Sequence, residues 1–290
     1  MDKEKNRQKE ISSWRKWGPY LSERQWGTVR EDYSHDGDAW NFITHDMSRS
    51  KSYRWGEEGI AGISDSKQLI CFAPAFWNTI DPILKENFFG LSNPQGNHGE
   101  DVKEYYYYLD NIPSHSYMKM LYKYPQEEFP YHRLWEENKN RSKHESEYEL
   151  IDTGIFDEDK YFDIFIEYAK ASQEDILIKI KAFNRGIYEA PIHIIPQIWL
   201  RNTWAWGYNN SKPEINFKKD GLLEINQIEM RNYFLYYDGN PEVYFCENET
   251  NVKRLYGVDT NGYFKDGVNE FLINKNKNAV NNLNKGTKAA

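Results

Sequence analysis

The feature that most constrains the fold is a period-two alternation of apolar and polar residues. Residues 176–181 read Ile-Leu-Ile-Lys-Ile-Lys, so the isoleucines share one side of an extended chain and Lys179 and Lys181 share the other. Successive side chains of a strand point to opposite faces, and this pattern is typical of a sheet with one buried face. The segment therefore predicts a half-buried β-strand.

Similar runs recur with turn residues between them. Phe162, Ile164 and Ile166 mark one strand, and a second runs through residues 192–198. The Asp-Gly-Asn-Pro at residues 238–241 predicts a hairpin between its flanking aromatic segments. Helical patterns are confined to a short N-terminal helix and to Leu134 through Lys139. Together these signals predict an all-β fold, a large antiparallel β-sandwich with few helices.

Composition narrows the functional classes. Aromatic residues make up 16% of the 290-residue chain, with 10 Trp and 22 Tyr, while 37 basic and 45 acidic residues give a net charge of -8. Nucleic-acid binders normally carry a basic patch, and none stands out here. Aromatic richness without basicity suits the recognition of sugars, but a β-rich core also uses Tyr and Trp.

Two cysteines, Cys71 and Cys246, stand far apart in apolar strand contexts. We expect buried free thiols, which favours a reducing, cytosolic setting. Residues 1–10 are charged and lack the apolar core of a signal peptide, and no apolar run is long enough to cross a bilayer. The sequence therefore predicts a cytoplasmic protein that binds neither nucleic acid nor membrane.

Changes in residue pattern divide the chain into three parts. Residues 1–13 are rich in Lys, Glu and Gln and predict a solvated arm. Residues 14–272 carry the strand patterns of the sandwich. Residues 273–290 are rich in Asn and Lys and poor in core formers, which predicts a linker.

One candidate site lies at residues 96–104, which read Gly-Asn-His-Gly-Glu-Asp-Val-Lys-Glu. The glycines on both sides of His98 let the backbone aim His98, Glu100 and Asp101 in directions closed to other residues. Such a cluster could bind a sugar, hold a cation together with His115, or fix a turn. Nothing in the spacing demands a metal, and we expect no metal and no cofactor.

A second candidate site is the Tyr-Arg-Trp-Gly-Glu-Glu-Gly at residues 53–59. A sugar ring could stack on Trp55 while Glu57 accepts hydrogen bonds from its hydroxyls; alternatively an Arg–carboxylate pair braces the loop. A third cluster at residues 199–207 carries three indoles, and on a strand Trp204 and Trp206 would share one face. They would form either a stacking platform or part of the core.

Common catalytic signatures are absent from the sequence. It has no phosphate-binding Gly-Lys-Ser/Thr loop, no paired-histidine zinc helix and no Gly-x-Ser-x-Gly elbow. Glycoside hydrolysis needs two carboxylates that flank one bond, but the 45 acidic residues leave the choice of a pair open. We therefore assign no catalytic residue.

Taken in order, these segments resemble a known family. The run from Trp17 to Tyr33, which begins Trp-Gly-Pro-Tyr-Leu-Ser-Glu-Arg-Gln-Trp-Gly, resembles the opening of bacterial and fungal proteins related to glycoside hydrolase family 63, the mannosyl-oligosaccharide glucosidase-like proteins. Later blocks of that group are similar to residues 53–57, 96–104, 115–119 and 201–204. The resemblance extends from about Trp14 to Ala290.

The resemblance implies an N-terminal β-sandwich of the supersandwich kind, then a linker and a helical (α/α) barrel. In such proteins the barrel supplies the general acid and base for hydrolysis with inversion. This chain resembles only the part before the barrel, so the resemblance transfers no catalytic residue.

The resemblance implies a non-catalytic β-domain of an α-glucosidase-like enzyme. That domain would support the barrel and lend Trp55, Glu57, His98, Glu100 and Asp101 to the site of an oligosaccharide or glucoside. The chain alone would be inactive. Two alternatives stay open: a free-standing carbohydrate-binding module without hydrolase activity, and a structural interaction domain with an exposed apolar patch.

Overall fold

The computed structural model describes residues 10–18, 37, 42–54, 59–90, 102–142, 144–208 and 211–290. The strands in these residues are β1 (Trp17–Gly18), β2 (Ile63–Asp65), β3 (Ile70–Trp77), β4 (Tyr105–Asn111), β5 (Tyr117–Pro125), β6 (Tyr161–Ser172), β7 (Asp175–Asn184), β8 (His193–Leu200), β9 (Glu214–Lys219), β10 (Leu222–Asn226), β11 (Tyr233–Tyr236), β12 (Phe245–Cys246), β13 (Lys285–Gly286) and β14 (Lys288–Ala289). The helices are α1 (His45–Ser48), α2 (Tyr131–Asn140), α3 (Val252–Tyr256) and α4 (Gly267–Leu272), and residues 10–14 are also helical.

The strands form antiparallel sheets. Sheet A has the order β1-β2-β3-β8-β14-β12, sheet B the order β4-β5-β6-β7, and sheet C the order β11-β10-β9-β13. All of the strand pairings within them are antiparallel. The predicted all-β, sandwich-like fold with few helices is therefore confirmed.

The main core lies between sheet A and the other two sheets. Phe72 and Ile198 are paired across β3 and β8, and they pack in one cluster with Ile164 of sheet B and Ile225 of sheet C. On β7 the isoleucines of the alternating run contact this core while the two lysines are exposed. Sheets B and C thus form one layer over sheet A. The alternation of apolar and polar residues at 176–181 correctly predicted which face of β7 is buried.

The opposite face of sheet A is buried as well. Cys71 and Trp199, which are paired across β3 and β8, pack with Tyr53, and Cys246 packs with Val268 of α4. Both cysteines are free and buried, as predicted, and burial raises the pKa of the Cys246 thiol to about 12. Sheet A is therefore the middle layer of the molecule.

The predicted helix around Leu134 is confirmed as α2. Leu134 is fully buried beside Phe129, and the Asn138 amide bonds the backbone of Tyr148 in both directions, at 2.9 Å each. The same cluster takes in α1, because the His45 ring stacks on Tyr131 with ring centroids 5.1 Å apart.

The hairpin prediction was wrong. β11 pairs with β10 of sheet C, whereas β12 pairs with β14 of sheet A. Gly239, with φ of 80°, does make a turn, but that turn carries the chain from one sheet to another. A turn motif determines a local change of chain direction. Which strands the flanking segments pair with is determined by the packing of the core.

The predicted linker at residues 273–290 also needs correction at its end. β13 pairs with β9, and β14 lies between β8 and β12. Lys288 and Ala289 are buried, at 2% and 1% exposure. Backbone pairing, which requires no apolar pattern, places this polar segment in the sheets.

Two further expectations concern membranes and metals. In the residues that the structure describes, no helix is long and apolar enough to cross a membrane. Among the same residues, no group of three or more His, Cys, Asp or Glu side chains is arranged to hold a metal ion.

Replacing Gly286 tests the burial of the C-terminal strands. A Cβ at Gly286 would lie 2.3 Å from the carbonyl oxygen of Cys246, whereas one at Gly262 would meet only the Phe264 ring at 3.6 Å. We expect Gly286→Ala to lower the free energy of unfolding by about 2–3 kcal/mol, and Gly262→Ala to change it by less than about 0.5 kcal/mol. Urea unfolding measures both, and equal effects would contradict the burial of this segment.

His45 makes the stability depend on acidity. Burial and the nearby Lys85 charge lower its pKa from 6.5 to about 3, so the folded chain keeps the ring neutral where the unfolded chain protonates it. The stability that this preference provides is complete above about pH 6.5 and is lost as the pH falls toward 3.

We expect His45→Phe, which keeps an aromatic ring beside Tyr131, to remove about 1–3 kcal/mol of the stability lost between pH 7 and pH 4.5. Urea unfolding at the two pH values measures this loss. His132→Phe is the matched control, because His132 is exposed. An unchanged pH dependence in His45→Phe would refute the assignment.

Candidate functional site

All five predicted site residues, Trp55, Glu57, His98, Glu100 and Asp101, lie outside the described residues. The structure instead describes the residues on either side of the two segments that carry them. These flanking residues show how each segment is attached to the sheets.

The segment with Trp55 and Glu57 begins at a fixed point. The Asn248 side chain accepts a hydrogen bond from the Tyr53 amide at 2.7 Å and donates to the Tyr53 and Leu200 carbonyls at 2.9 and 2.8 Å. The Asn202 amide also donates to the Tyr53 carbonyl, and the Arg201 guanidinium donates to the Arg54 carbonyl. The chain is therefore attached to the end of β8 immediately before Trp55.

The segment with His98, Glu100 and Asp101 has both ends bound to each other. The Lys103 amide donates to the Phe89 carbonyl at 2.7 Å, and the Glu104 carboxylate accepts from the Phe89 amide at 2.8 Å. Glu104 also accepts from Lys85 at 2.8 Å and from the Tyr122 hydroxyl at 2.6 Å. Lys85 and Glu104 have fully buried side chains, so this base is rigid.

Charges at this base are held inside the protein. Burial raises the pKa of Glu104, although Lys85 and the hydrogen bonds to it favour the charged form. The Lys85 ammonium lies 3.6 Å from the centre of the Phe129 ring. Lys103 pairs with Glu149 at 2.9 Å and with Glu147. Lys85, Lys103 and Glu104 have buried side chains, so we assign them the role of fixing the described residues on either side of the segment.

The two segments attach around one small polar cavity of about 10 Å³, which is room for about one water molecule. Gly59, which follows the first segment, and Glu86 and Asn87, which precede the second, line it together. Gln197 and Trp199 of β8 line it from sheet A. The cavity therefore joins the bases of the two predicted site segments.

Four buried polar atoms of the lining have no hydrogen-bond partner among the described residues. Two are acceptors, Glu86 Oε1 and Asn87 Oδ1, and two are donors, Gln197 Nε2 and Trp199 Nε1. Buried polar groups without partners are costly, and two donors with two acceptors match the hydrogen-bonding capacity of one water molecule.

Two buried lysines also line the cavity, and their pKa values shift in opposite directions. Burial opposes the charge on Lys288, but Glu86, whose carboxylate lies 2.9 Å from its ammonium, raises its pKa. Burial and the Lys288 charge together lower the pKa of Lys265 well below its usual range, although Asp266 opposes the shift. Lys265 donates to the Ser48 carbonyl at 3.1 Å. No sequence pattern predicts the burial of either lysine.

An aromatic and charged surface lies at the end of β8, where Tyr53 and Arg54 are also attached. Trp204 donates from its indole to Glu249, and the Lys212 ammonium lies 3.3 Å from Glu249 and 5.3 Å from the centre of the Trp204 ring. Trp206 packs beside Tyr208, which is 84% exposed. An indole face next to a carboxylate and an ammonium is chemically suited to a hydroxyl-rich ring.

This surface corrects the prediction that Trp204 and Trp206 share one face of a strand. Trp204–Trp206 form a 3₁₀ turn that ends at Gly207, so the two indoles do not share a strand face. Sequence reasoning missed Asn248 and Glu249, because a polar pair in a run of polar residues gives no sign of its distant partners.

His115, which was considered for a metal site, lies between β4 and β5. Its ring is against Gly18 of β1, where a Cβ would lie 2.3 Å from its Nδ1. Burial, Lys170 and Arg15 lower the pKa of its imidazole. The structure thus places His115 at the junction of β1 with sheet B.

Comparison with known proteins finds one curated relative to report. The chain is 40% identical over 313 residues to a Saccharomyces cerevisiae protein named "Uncharacterized protein YMR196W", and the match covers 95% of this chain and 29% of that protein. The chain thus spans less than a third of that relative's length. No family model matches the chain, and no solved structure matches it.

Removing the Asn248 side chain tests how the first segment is attached. We expect Asn248→Ala to lower the free energy of unfolding by about 2–4 kcal/mol, because it leaves the Tyr53 amide and the Leu200 carbonyl buried without these partners. Asn240→Ala is the matched control, because Asn240 is exposed. Chemical unfolding measures both variants, and a loss below about 1 kcal/mol in Asn248→Ala would contradict this role.

Proposed function

We propose that this chain is a non-catalytic β-domain of a larger protein related to glycoside hydrolase family 63. In this proposal a helical barrel elsewhere in the same protein performs the hydrolysis of an α-glucoside or oligosaccharide with inversion. The β-domain supports that barrel and presents two segments toward the sugar. The free thiols of Cys71 and Cys246 favour a reducing compartment, and we propose a cytoplasmic location.

The observation that carries the proposal is the shared attachment of the two predicted site segments. Trp55 and Glu57 belong to one, and His98, Glu100 and Asp101 belong to the other. Residues next to both segments line the same polar cavity, so two stretches far apart in sequence start from one place in the fold. Ligand-binding residues are commonly carried by chain segments that a rigid scaffold holds in position.

Two further points favour the larger-protein part of the proposal. One is the resemblance itself, in which the motif blocks follow the order expected for the family. In addition, the yeast relative extends well beyond the shared region, which is 29% of its length. A β-domain followed by further domains fits both facts.

A free-standing carbohydrate-binding module is the second candidate. The observation that favours it is the surface at the end of β8, where the Trp204 indole donates to Glu249 and the exposed Tyr208 ring packs beside Trp206. Such a module would bind a glucose-containing ligand with no help from a second domain.

Calorimetry with maltose and longer α-glucans separates the two candidates. For the β-domain of an enzyme, we expect the purified chain to bind these ligands weakly or not at all and to release no glucose from α-glucosides. For a binding module, we expect saturable binding that Trp55→Ala or Trp204→Ala weakens about tenfold or more, because the stacking of a sugar ring on the indole is lost. Tyr188→Ala is the control, because Tyr188 is 74% exposed and lies away from both segments in sequence.

Steady turnover of an α-glucoside by the purified chain would overturn the non-catalytic assignment. In a longer protein that contains this region, Glu57→Gln and Asp101→Asn should raise KM more than they lower kcat. Equal values for wild type and both variants would refute a sugar-contacting role for these segments.

A further inference from the structure

Sheets B and C end in edge strands that border one groove over sheet A. β7 is the last strand of sheet B, β11 is the last strand of sheet C, and each pairs with a described strand on one side only. The groove is lined by consecutive residues of both strands, among them Ile176, Leu177 and Ile178 on β7 and residues 233–236 of β11. Consecutive lining residues mean that the edges of the strands, and not only one face of each, border the groove.

The two edge strands run in the same direction. Glu174 immediately precedes β7, and it pairs with Arg231 and accepts a hydrogen bond from the Tyr233 hydroxyl at 3.3 Å, at the start of β11. Both strands therefore leave the same end of the groove. In an antiparallel sheet, strands that are two positions apart run parallel, so one strand of opposite direction would pair with both.

The size of the groove matches one strand. Its volume is about 890 Å³. A residue of a strand in a sandwich occupies about 3.3 Å of rise, 4.8 Å of strand spacing and 10 Å of sheet spacing, or about 160 Å³. The groove therefore has room for a short strand.

The floor of the groove is apolar. It comes from sheet A, where Ile63, Phe72, Ile194 and Ile198 lie between the two edges. Ile194 is 36% exposed, whereas Ile63, Phe72 and Ile198 are nearly buried. On the borders Leu177 and Tyr236 are 62% and 73% exposed. Open strand edges beside an apolar floor can pair with another extended chain.

We propose that this groove binds an extended segment of a partner protein, which adds one strand between β7 and β11 and joins sheets B and C into one sheet. Backbone hydrogen bonds to both edges hold the segment, and its alternate side chains pack on the isoleucines of sheet A. The segment runs antiparallel to both strands.

Charge and pattern define the segment further. Asp238 lines the open end of the groove, beyond the end of β11 and away from Glu174. A segment antiparallel to β11 enters at that end with its first residues, so a Lys or Arg at its start faces Asp238. The partner segment is therefore about six residues long, basic at its start and apolar at every second position thereafter.

Synthetic peptides test this proposal on the whole chain. The probe is a fluorescein-labelled Lys-Val-Thr-Val-Thr-Val, followed by fluorescence anisotropy. We expect saturable binding that is about tenfold weaker for the same residues without alternation, for a Glu at the first position, and for a version with N-methylated backbone amides. Hydrogen exchange of backbone amides should slow on β7 and β11 together when the peptide binds.

Ile194→Lys places a charge on the floor and should reduce peptide binding about tenfold or more. Ile151→Lys is its control, because Ile151 is 58% exposed and lies outside the groove. The N-methylated peptide needs no variant, so the test holds even if Ile194→Lys folds poorly.

Three results would overturn the proposal. Equal binding of the N-methylated and unmodified peptides would show a groove for any apolar ligand. Absence of binding by the alternating peptide would exclude strand addition. A dimer of the chain that Ile194→Lys dissociates would show that the groove belongs to contacts between two copies.

Discussion

Burial of sheet A on both faces is the constraint on which the rest of the structure depends. One face packs on sheets B and C with apolar side chains, and the other is covered by α4 and by the segment that contains Tyr53. Bulk water is excluded from that second face, so each polar side chain there requires a partner inside the protein. The Lys288–Glu86 pair and the three hydrogen bonds of the Asn248 side chain supply such partners.

The same constraint shapes the candidate site. Gln197 and Trp199 of sheet A line the cavity together with Gly59, Glu86 and Asn87, which belong to the described residues on either side of the predicted site segments. A buried polar network fixes the position of the elements it joins, at a cost in desolvation. The described residues that precede the two site segments, up to Arg54 and Phe89, are therefore held at defined positions.

Sequence reasoning succeeded where one face of an element meets one core. The alternation in β7 predicted the correct element and the correct buried side, and the helix predicted around Leu134 to Lys139 is α2. It failed where partners are chosen over long distances. Asp-Gly-Asn-Pro marks a turn at Gly239, but whether β11 pairs with β12 or with β10 depends on sheets that the local sequence does not describe.

The candidate site shows the same division. Aromatic and acidic residues between glycines drew attention to Trp55 and to His98, but the groups that attach their segments, Asn248 and Glu104, have no local signature. Their roles come from bonds that span 195 residues in one case and 15 in the other. Lys265 and Lys288 are further examples, because a lysine in a polar run normally predicts a solvated surface.

The position of β14 has a consequence for biosynthesis. β14 lies between β8 and β12, and its residues follow those of every other strand of sheet A in the sequence. A ribosome releases the chain from its N-terminus, so the middle layer stays incomplete until residues 288 and 289 have emerged. Until then Ile198 and Trp199 of β8 and both residues of β12 lack their β14 partners, and Glu86 lacks the Lys288 ammonium. Sheet A therefore depends on the strand of this sheet that is synthesised last for its completion.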